Sequence, residues 1–303
     1  MLGSHRGPGR TGHRFPLAAA LLAALLALAG AAPAAAVNTQ LKEEFAEFLD
    51  CPSATAGVCV VAHTTSGEFK MGSKDVPIEN PILLQGGLPI NTLETQNMIP
   101  ARDGKTMESP PQKVPGGLLG LPGILEGIGG EVTATASLAG PATGIEVNQY
   151  YLLEGGGTAV TLPLKIKLDN PLLGSTCLIG SDAEPVVLHL VTSVKGKRSN
   201  PGKEKIIKVS EISLEDNKFA VPAAKNCGLS TVLVNLLAGL PSSAGHNRAV
   251  LTGDFEQTLI QWAQKYAIGP QEKKEAKEKK EREKREKLEK KLKEQREKEE
   301  AKK

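Results

Sequence analysis

Between residues 161 and 168, Leu162, Leu164, Ile166 and Leu168 alternate with Thr161, Pro163, Lys165 and Lys167. Side chains along a strand point to opposite faces in turn, so this stretch is a strand with one dry and one wet face. Val132, Ala134, Ala136 and Leu138 repeat the pattern against Thr133, Thr135 and Ser137. Further strands are expected over residues 148–153, 185–192, 206–214, 218–221 and 248–257. Residues 59–64 and 68–71 read as the two arms of a hairpin turning at Ser66-Gly67, and residues 77–84 as an edge or irregular strand demoted by its prolines. The expected fold class is mainly β: an antiparallel β-sandwich or barrel-like body with one or two short helices, plus a charged C-terminal single helix. Aromatic residues make up only 3% of the chain, so the core must be largely aliphatic.

Two short helices interrupt the β pattern. Leu41, Phe45, Phe48 and Leu49 recur at helical spacing behind an N-cap at Asn38 or Thr39, and Cys51-Pro52 ends the run. Ser230 is placed to cap a helix from Thr231 towards Leu240, stopped by Gly239 and Pro241. Residues 98–130 read as loop, with Leu118, Leu119, Leu121 and Leu125 either lying against the body or forming a binding lip.

The ends of the chain differ from this body. Arg6, Arg10 and Arg14 precede an Ala/Leu run, and Ala34-Ala35-Ala36 stands before Val37, the pattern of a secretory signal peptide over residues 1–36. An uncleaved anchor is the alternative, although Gly30 and Pro33 interrupt the run. Residues 37–270 form the expected disulfide-bonded β-rich body, as one large domain or two small ones, and residues 271–303 a helical or disordered tail. The tail carries 16 basic and 11 acidic residues, the body 18 and 23, so the overall +3 describes neither part. Eight Glu-to-Lys/Arg pairs at a spacing of four, from Glu275–Lys279 to Glu299–Lys303, support a lone helix, with Gly269-Pro270 as its boundary. No sustained apolar seam marks a coiled coil.

Cys51, Cys59, Cys177 and Cys227 all lie in the exported body, where an even count implies two disulfides. Three connectivities are open, and sequence order favours Cys51 with Cys59 and Cys177 with Cys227. Zinc is the rival reading, but Cys51 and Cys59 lack the ligand spacing of structural zinc sites.

Thr64-Thr65-Ser66-Gly67-Glu68-Phe69, Ile82-Leu83-Leu84-Gln85-Gly86-Gly87, Leu168 through Ser181 (LDNPLLGSTCLIGS) and Gly239-Leu240-Pro241-Ser242-Ser243-Ala244-Gly245 resemble stretches of an uncharacterised group of secreted proteins from high-GC Gram-positive bacteria. The resemblance covers about residues 40–265. It implies export, a β body and the cysteine framework, and no catalytic or ligand residue.

No G-x-S-x-G elbow, H-E-x-x-H helix, phosphate-cradling loop or Ser-x-x-Lys pair occurs. His63 and His189 fall in strands and His246 in a Ser/Gly-rich turn, so a Ser-His-Asp site would have to be assembled from distant residues. Asp169-Asn170-Pro171 reads as a turn, and a calcium site using Asp169 and Asp182 would be its functional version; no cofactor and no metal site is assigned. The expectation is a secreted, non-catalytic structural or binding protein of the cell envelope or exterior. Its tail would touch anionic cell-wall polymer or lipid headgroups, with no nucleic acid and no transmembrane segment after cleavage. The alternatives are a hydrolase, marked by a deep pocket with a perturbed histidine beside a nucleophile, and a carbohydrate- or lipid-binding module, marked by a concave apolar surface. Few aromatics weigh against carbohydrate stacking.

Overall fold

The structure, a computed structural model, describes residues 40–90, 92, 94–117 and 131–300. The expected leader, the capping residues Asn38 and Thr39, and Leu118, Leu119, Leu121 and Leu125 lie outside the described residues. The described residues from Glu44 onward form one compact unit.

Sixteen strands among the described residues share one antiparallel sheet. The first seven are β1 (Val58–Met71), β2 (Lys74–Pro77), β3 (Ile82–Leu88), β4 (Thr95–Asn97), β5 (Ile99–Pro100), β6 (Met107–Glu108) and β7 (Gln112–Lys113). β8 (Thr133–Leu138), β9 (Glu146–Asn148), β10 (Thr158–Asp169), β11 (Leu178–Ile179) and β12 (Val186–Val194) follow. β13 (Lys197–Ser199), β14 (Ile206–Asp216), β15 (Ala224–Lys225) and β16 (Arg248–Leu259) complete the set.

The order β10-β12-β14-β16-β1-β3 makes a continuous wall. Two extended segments carry it back to β10. In one, β5 pairs with β3 and runs directly on from β4, which pairs with β9, itself bonded to β10. In the other, β6 pairs with β3 and leads into β7, which pairs with β8, again on β10. The fold is therefore barrel-like, the second of the two architectures that the alternation permits.

The alternation also decides which side chains fill it. Leu162, Leu164, Ile166 and Leu168 are buried, while Lys165 and Lys167 stand on the other face, paired with Asp182 and Asp169 at 2.6 Å each. Val58, Val60, Leu188, Leu190, Val209, Ile212 and Phe255 join them in one cluster. A second, smaller layer covers the outer face of β1. In it a 3-10 turn spans Ala46–Phe48, and Phe45 and Phe48 are fully buried, the Phe45 ring tilted against that of Tyr266 with centroids 5.0 Å apart. Each such burial is worth about 1.5–3 kcal/mol.

Several expectations are corrected. Residues 58–71 are one strand rather than a hairpin: at Thr64–Ser66 the register with β16 slips by one residue, a bulge. Gly67 takes φ +133, and a Cβ there would stand 1.9 Å from the carbonyl oxygen of Val250, so glycine serves the close passage of two strands instead of a turn. The chain reverses at Gly72-Ser73, where Met71 faces Lys74. Residues 149–154 form α1 (Gln149–Glu154) rather than a strand, because Asn148 Oδ1 caps it by accepting from the Tyr151 N–H at 2.9 Å. The loop expected from residue 98 holds β5 to β7, the strands that close the barrel. Residues 218–221 contribute only the bridge of Val221 to Ser242.

α2 (Thr231–Ala238) ends as expected, with Gly239 left-handed at φ 64. Ser230 precedes it, but its hydroxyl donates to the Leu172 carbonyl instead of capping. Both disulfides join the favoured pairs, Cys51–Cys59 and Cys177–Cys227. The C-terminal helix does not begin at Gly269-Pro270. It starts at α3 (Ile260–Ala263), widens into a π-turn over Gln264–Ile268, and continues as α4 (Gly269–Glu300). Pro270 has no N–H and its ring crowds the preceding turn; the wider turn, in which the Gly269 N–H reaches back to the Gln264 carbonyl, accommodates it. No helix among the described residues is long and apolar enough to cross a membrane.

Candidate ligand-binding cavities

A wall of this circumference is wide enough that aliphatic side chains need not fill it, and small barrels of similar size either pack solid or hold one small ligand. Here the packing leaves a row of apolar cavities. The largest, of about 90 Å³, lies among Val60, Phe69, Met98, Leu162, Leu190 and Phe255. A second, of about 30 Å³, shares Phe69, Ile82 and Leu164 with the first. A third, of about 40 Å³, shares Met71, Val76 and Ala134 with the second and is roofed by Val234 and Ala238 of α2. Consecutive spaces thus share parts of their walls.

Polar groups reach these walls at few places. The lining of the largest cavity includes His63, Thr64 and Asp254, but the His63 ring is engaged with Glu47 and the Asp254 carboxylate with the Glu211 N–H and Lys208. In the second, Gln112 is spent on the chain itself: its amide donates to the Asn80 and Pro110 carbonyls, and its oxygen accepts from the N–H groups of Glu79 and Asn80. The Ser109 hydroxyl lines the same space, buried and without a protein partner. In the third, Lys74 is the one charged residue of the wall. Its position follows from the pleat: Lys74 and Val76 are two apart in β2 and so share the inward face. Its Nζ donates to the Gly117 carbonyl at 3.1 Å, and no carboxylate among the described residues pairs with it. Burial pushes the Lys74 pKa below its ordinary 10.5.

The residues with catalytic potential do not converge. His63 Nε2 lies 2.8 Å from Glu47 Oε2 on the outer face of β1. The His189 ring is exposed, and only its backbone N–H engages a carboxylate, Asp216 at 2.7 Å. His246 Nδ1 lies 3.3 Å from Ser243 Oγ in an exposed turn. Among the described residues these hydrogen bonds do not link into a Ser-His-carboxylate chain. Asp169 and Asp182 are each held by a lysine, and Asp182 also accepts from the Gly140 N–H at 2.9 Å, so its carboxyl sits below the usual range through Lys165 first and that backbone bond second. No group of three or more His, Cys, Asp or Glu placed to hold a metal occurs among the described residues. Asn170 makes the expected turn, its Oδ1 accepting from the Leu172 N–H at 2.8 Å.

The four cysteines were legible and are paired; Lys74 and Ser109 were not singled out. Lys74 follows a Gly-Ser turn in a four-residue strand, too short for alternation to declare an inward face. No protein-family model, curated protein or solved structure matches this chain.

Proposed function

We propose that the protein is an exported, non-catalytic carrier that holds an apolar ligand within its barrel. The observation that supports this reading is the row of cavities, whose walls are almost wholly aliphatic. Space of that kind stays dry and takes apolar guests, because water finds no partners there. Two disulfides are compatible with an oxidising exterior. The scarcity of aromatic residues fits an aliphatic guest better than a sugar.

The reading includes a second, weaker contact. Over residues 271–303 the tail has a net charge of +5, and residues 272–298 are exposed along a rod whose opposite charges lie close together. Its attraction to anionic wall polymer or lipid headgroups is therefore slight and is screened at physiological ionic strength, where the Debye length is about 8 Å. The tail serves mainly as a spacer.

Displacement of an apolar fluorescent dye tests the carrier reading. The dye should brighten with native protein and be displaced by decanol or decanoate; a native protein that takes up neither overturns it. For the tail, cosedimentation of full-length and tail-deleted protein with cell walls should differ only at low salt. Wall binding that survives both deletion and high salt would move the contact to the body.

A further inference from the structure

The end of the barrel that carries α2 presents apolar side chains to solvent. Leu229, Val232, Leu233 and Leu236 stand at positions i, i+3, i+4 and i+7, which places them on one face of α2 and of the 3-10 turn Gly228–Ser230 that leads into it. That face is turned outward: Leu229 is fully exposed, Val232 80% and Leu236 76% exposed, and Leu233 less so. The opposite face holds the helix to the barrel. It does so through buried Val234 and through Asn235, whose side chain accepts from the Ala224 N–H at 2.7 Å and donates to the Ala224 carbonyl at 3.0 Å. Leu172, 68% exposed, adds a fifth side chain from a neighbouring turn. The Cys177–Cys227 disulfide, the Ser230 hydroxyl on the Leu172 carbonyl and the Thr176 hydroxyl on the Asn226 carbonyl fasten that turn to the start of the helix, so all five are held on one frame.

The chain around them is uncharged. Residues 170–181 and 226–247 contain no Lys, Arg, Asp or Glu. The charges that border these stretches are paired with others: Asp169 with Lys167, Asp182 with Lys165, Lys225 with Glu184, and Arg248 with Glu68 and Glu215. A protein partner needs more than this end supplies. A stable interface takes about 800 Å² and roughly 20–30 residues from each side and is rimmed by polar groups, whereas five large apolar side chains that stand out from the surface offer neither a broad field nor a rim. A bilayer requires neither. Its acyl chains flow round a protrusion, and an apolar helix face settles about 5–10 Å into the boundary between headgroups and hydrocarbon, comparable to half the roughly 10–12 Å diameter of a helix. Interfacial helices of that kind ordinarily add Lys or Arg to meet anionic lipids, and this one has none.

We propose that the α2 end docks the protein on an electrically neutral lipid bilayer, with Leu172, Leu229, Val232 and Leu236 inserted among the acyl chains. This goes beyond the carrier reading and requires no guest in the barrel. It is also distinct from the tail. α2 lies at the Arg248 end of β16, where the Ser73 N–H, at the reversal between β1 and β2, donates to the Ala238 carbonyl; the tail follows α3, which starts at the Leu259 end. Being apolar, the contact is insensitive to salt, whereas that of the tail is not.

Cosedimentation of the full chain with phosphatidylcholine vesicles, which carry no net charge, tests the proposal. Native protein should bind to the same extent in about 0.1 M and about 1 M salt, between which the Debye length falls from about 10 to about 3 Å. Leu229→Gln together with Leu236→Gln withdraws two side chains from hydrocarbon and should weaken binding at least about tenfold. Val194→Gln, at an exposed apolar position elsewhere on the barrel, should leave it unchanged. Because Leu229 and Leu236 are in water in the free protein, the double variant should keep the native unfolding midpoint in urea. Native protein that stays in solution at both salt concentrations, binding that disappears at high salt, or a double variant that binds as native protein does overturns the proposal. A native dimer in sedimentation velocity that the double variant converts to monomer assigns the face to a second copy and overturns it as well. The first two outcomes are read on native protein alone and decide the matter even where the variant does not fold. Any of these failures leaves the carrier reading standing, since uptake of an apolar dye measures the barrel and not its end.

Discussion

Ile166 and Lys165 are neighbours in β10 that meet opposite environments. Ile166 is 5% exposed inside the barrel, whereas Lys165 reaches Asp182 on the outside at 2.6 Å. Ile166→Asp would remove buried apolar area and place a carboxylate where nothing pairs with it, a loss above about 3 kcal/mol. Lys165→Met removes one surface ion pair and should change stability by less than about 0.5 kcal/mol. Urea unfolding of the two variants measures both, and equal losses would mean that the inward face is misassigned. The same pair sets a pH dependence. Asp182 titrates below its ordinary 3.8 in the folded chain, so the stabilisation it gives is present above 3.8 and is lost as pH falls through the folded value. In Lys165→Met the principal cause is gone and only the Gly140 N–H remains, so the Asp182 midpoint, followed by NMR, should move up towards 3.8.

At the scale of elements, what was legible is what repeats. β8, β10, β12, β14 and β16 were readable because each is long enough for an alternation to establish itself; α2 was readable because Gly239 gives it a stop. β1 was misread because its bulge carries Ser66-Gly67, the composition of a turn, and only the approach of Val250 distinguishes the two uses of that glycine. Gly67→Ala tests this. A turn glycine would tolerate alanine at modest cost, whereas a Cβ set against a neighbouring backbone at positive φ should lose more than about 2 kcal/mol in urea unfolding. The tail is helical as its composition implies, but among the described residues the ion pairs within it run from the basic residue forward, Lys274–Glu278, Lys277–Glu281 and Arg282–Glu286, at 3.9–4.0 Å. That is the poorer orientation, and contacts of that length are worth little. Helix propensity and continuation from α3 then carry the rod. A peptide of residues 271–303 should accordingly show less helix by circular dichroism than the tail contributes to the intact chain, and equal helicity would return the weight to the pairs.

For the whole molecule, closure of the barrel was the part that sequence could not declare. It depends on β4 to β7, strands of two or three residues set among prolines and glycines, whose hydrogen bonds are made to β3, β8 and β9 rather than to sequence neighbours. Such pairing carries no local period. The cavities depend on that closure, so the candidate site was hidden by the same cause; the alternative of a concave apolar surface could be named, but not placed. The disulfides act on the opposite side of folding, in the unfolded chain. Cys177–Cys227 ties residues separated by 50 and Cys51–Cys59 residues separated by 8, so loop closure assigns them about 4 and about 2.5 kcal/mol. Their surroundings in the folded state differ as well: the longer link joins the barrel's main cluster, while the shorter one ties the layer holding Phe45 and Phe48 to β1. If chain entropy dominates, replacing Cys177 and Cys227 with serine lowers the unfolding free energy more than replacing Cys51 and Cys59. Should the order reverse, anchoring of the outer layer is what stabilises β1, and the short link must then be assigned a native-state role that loop length does not supply.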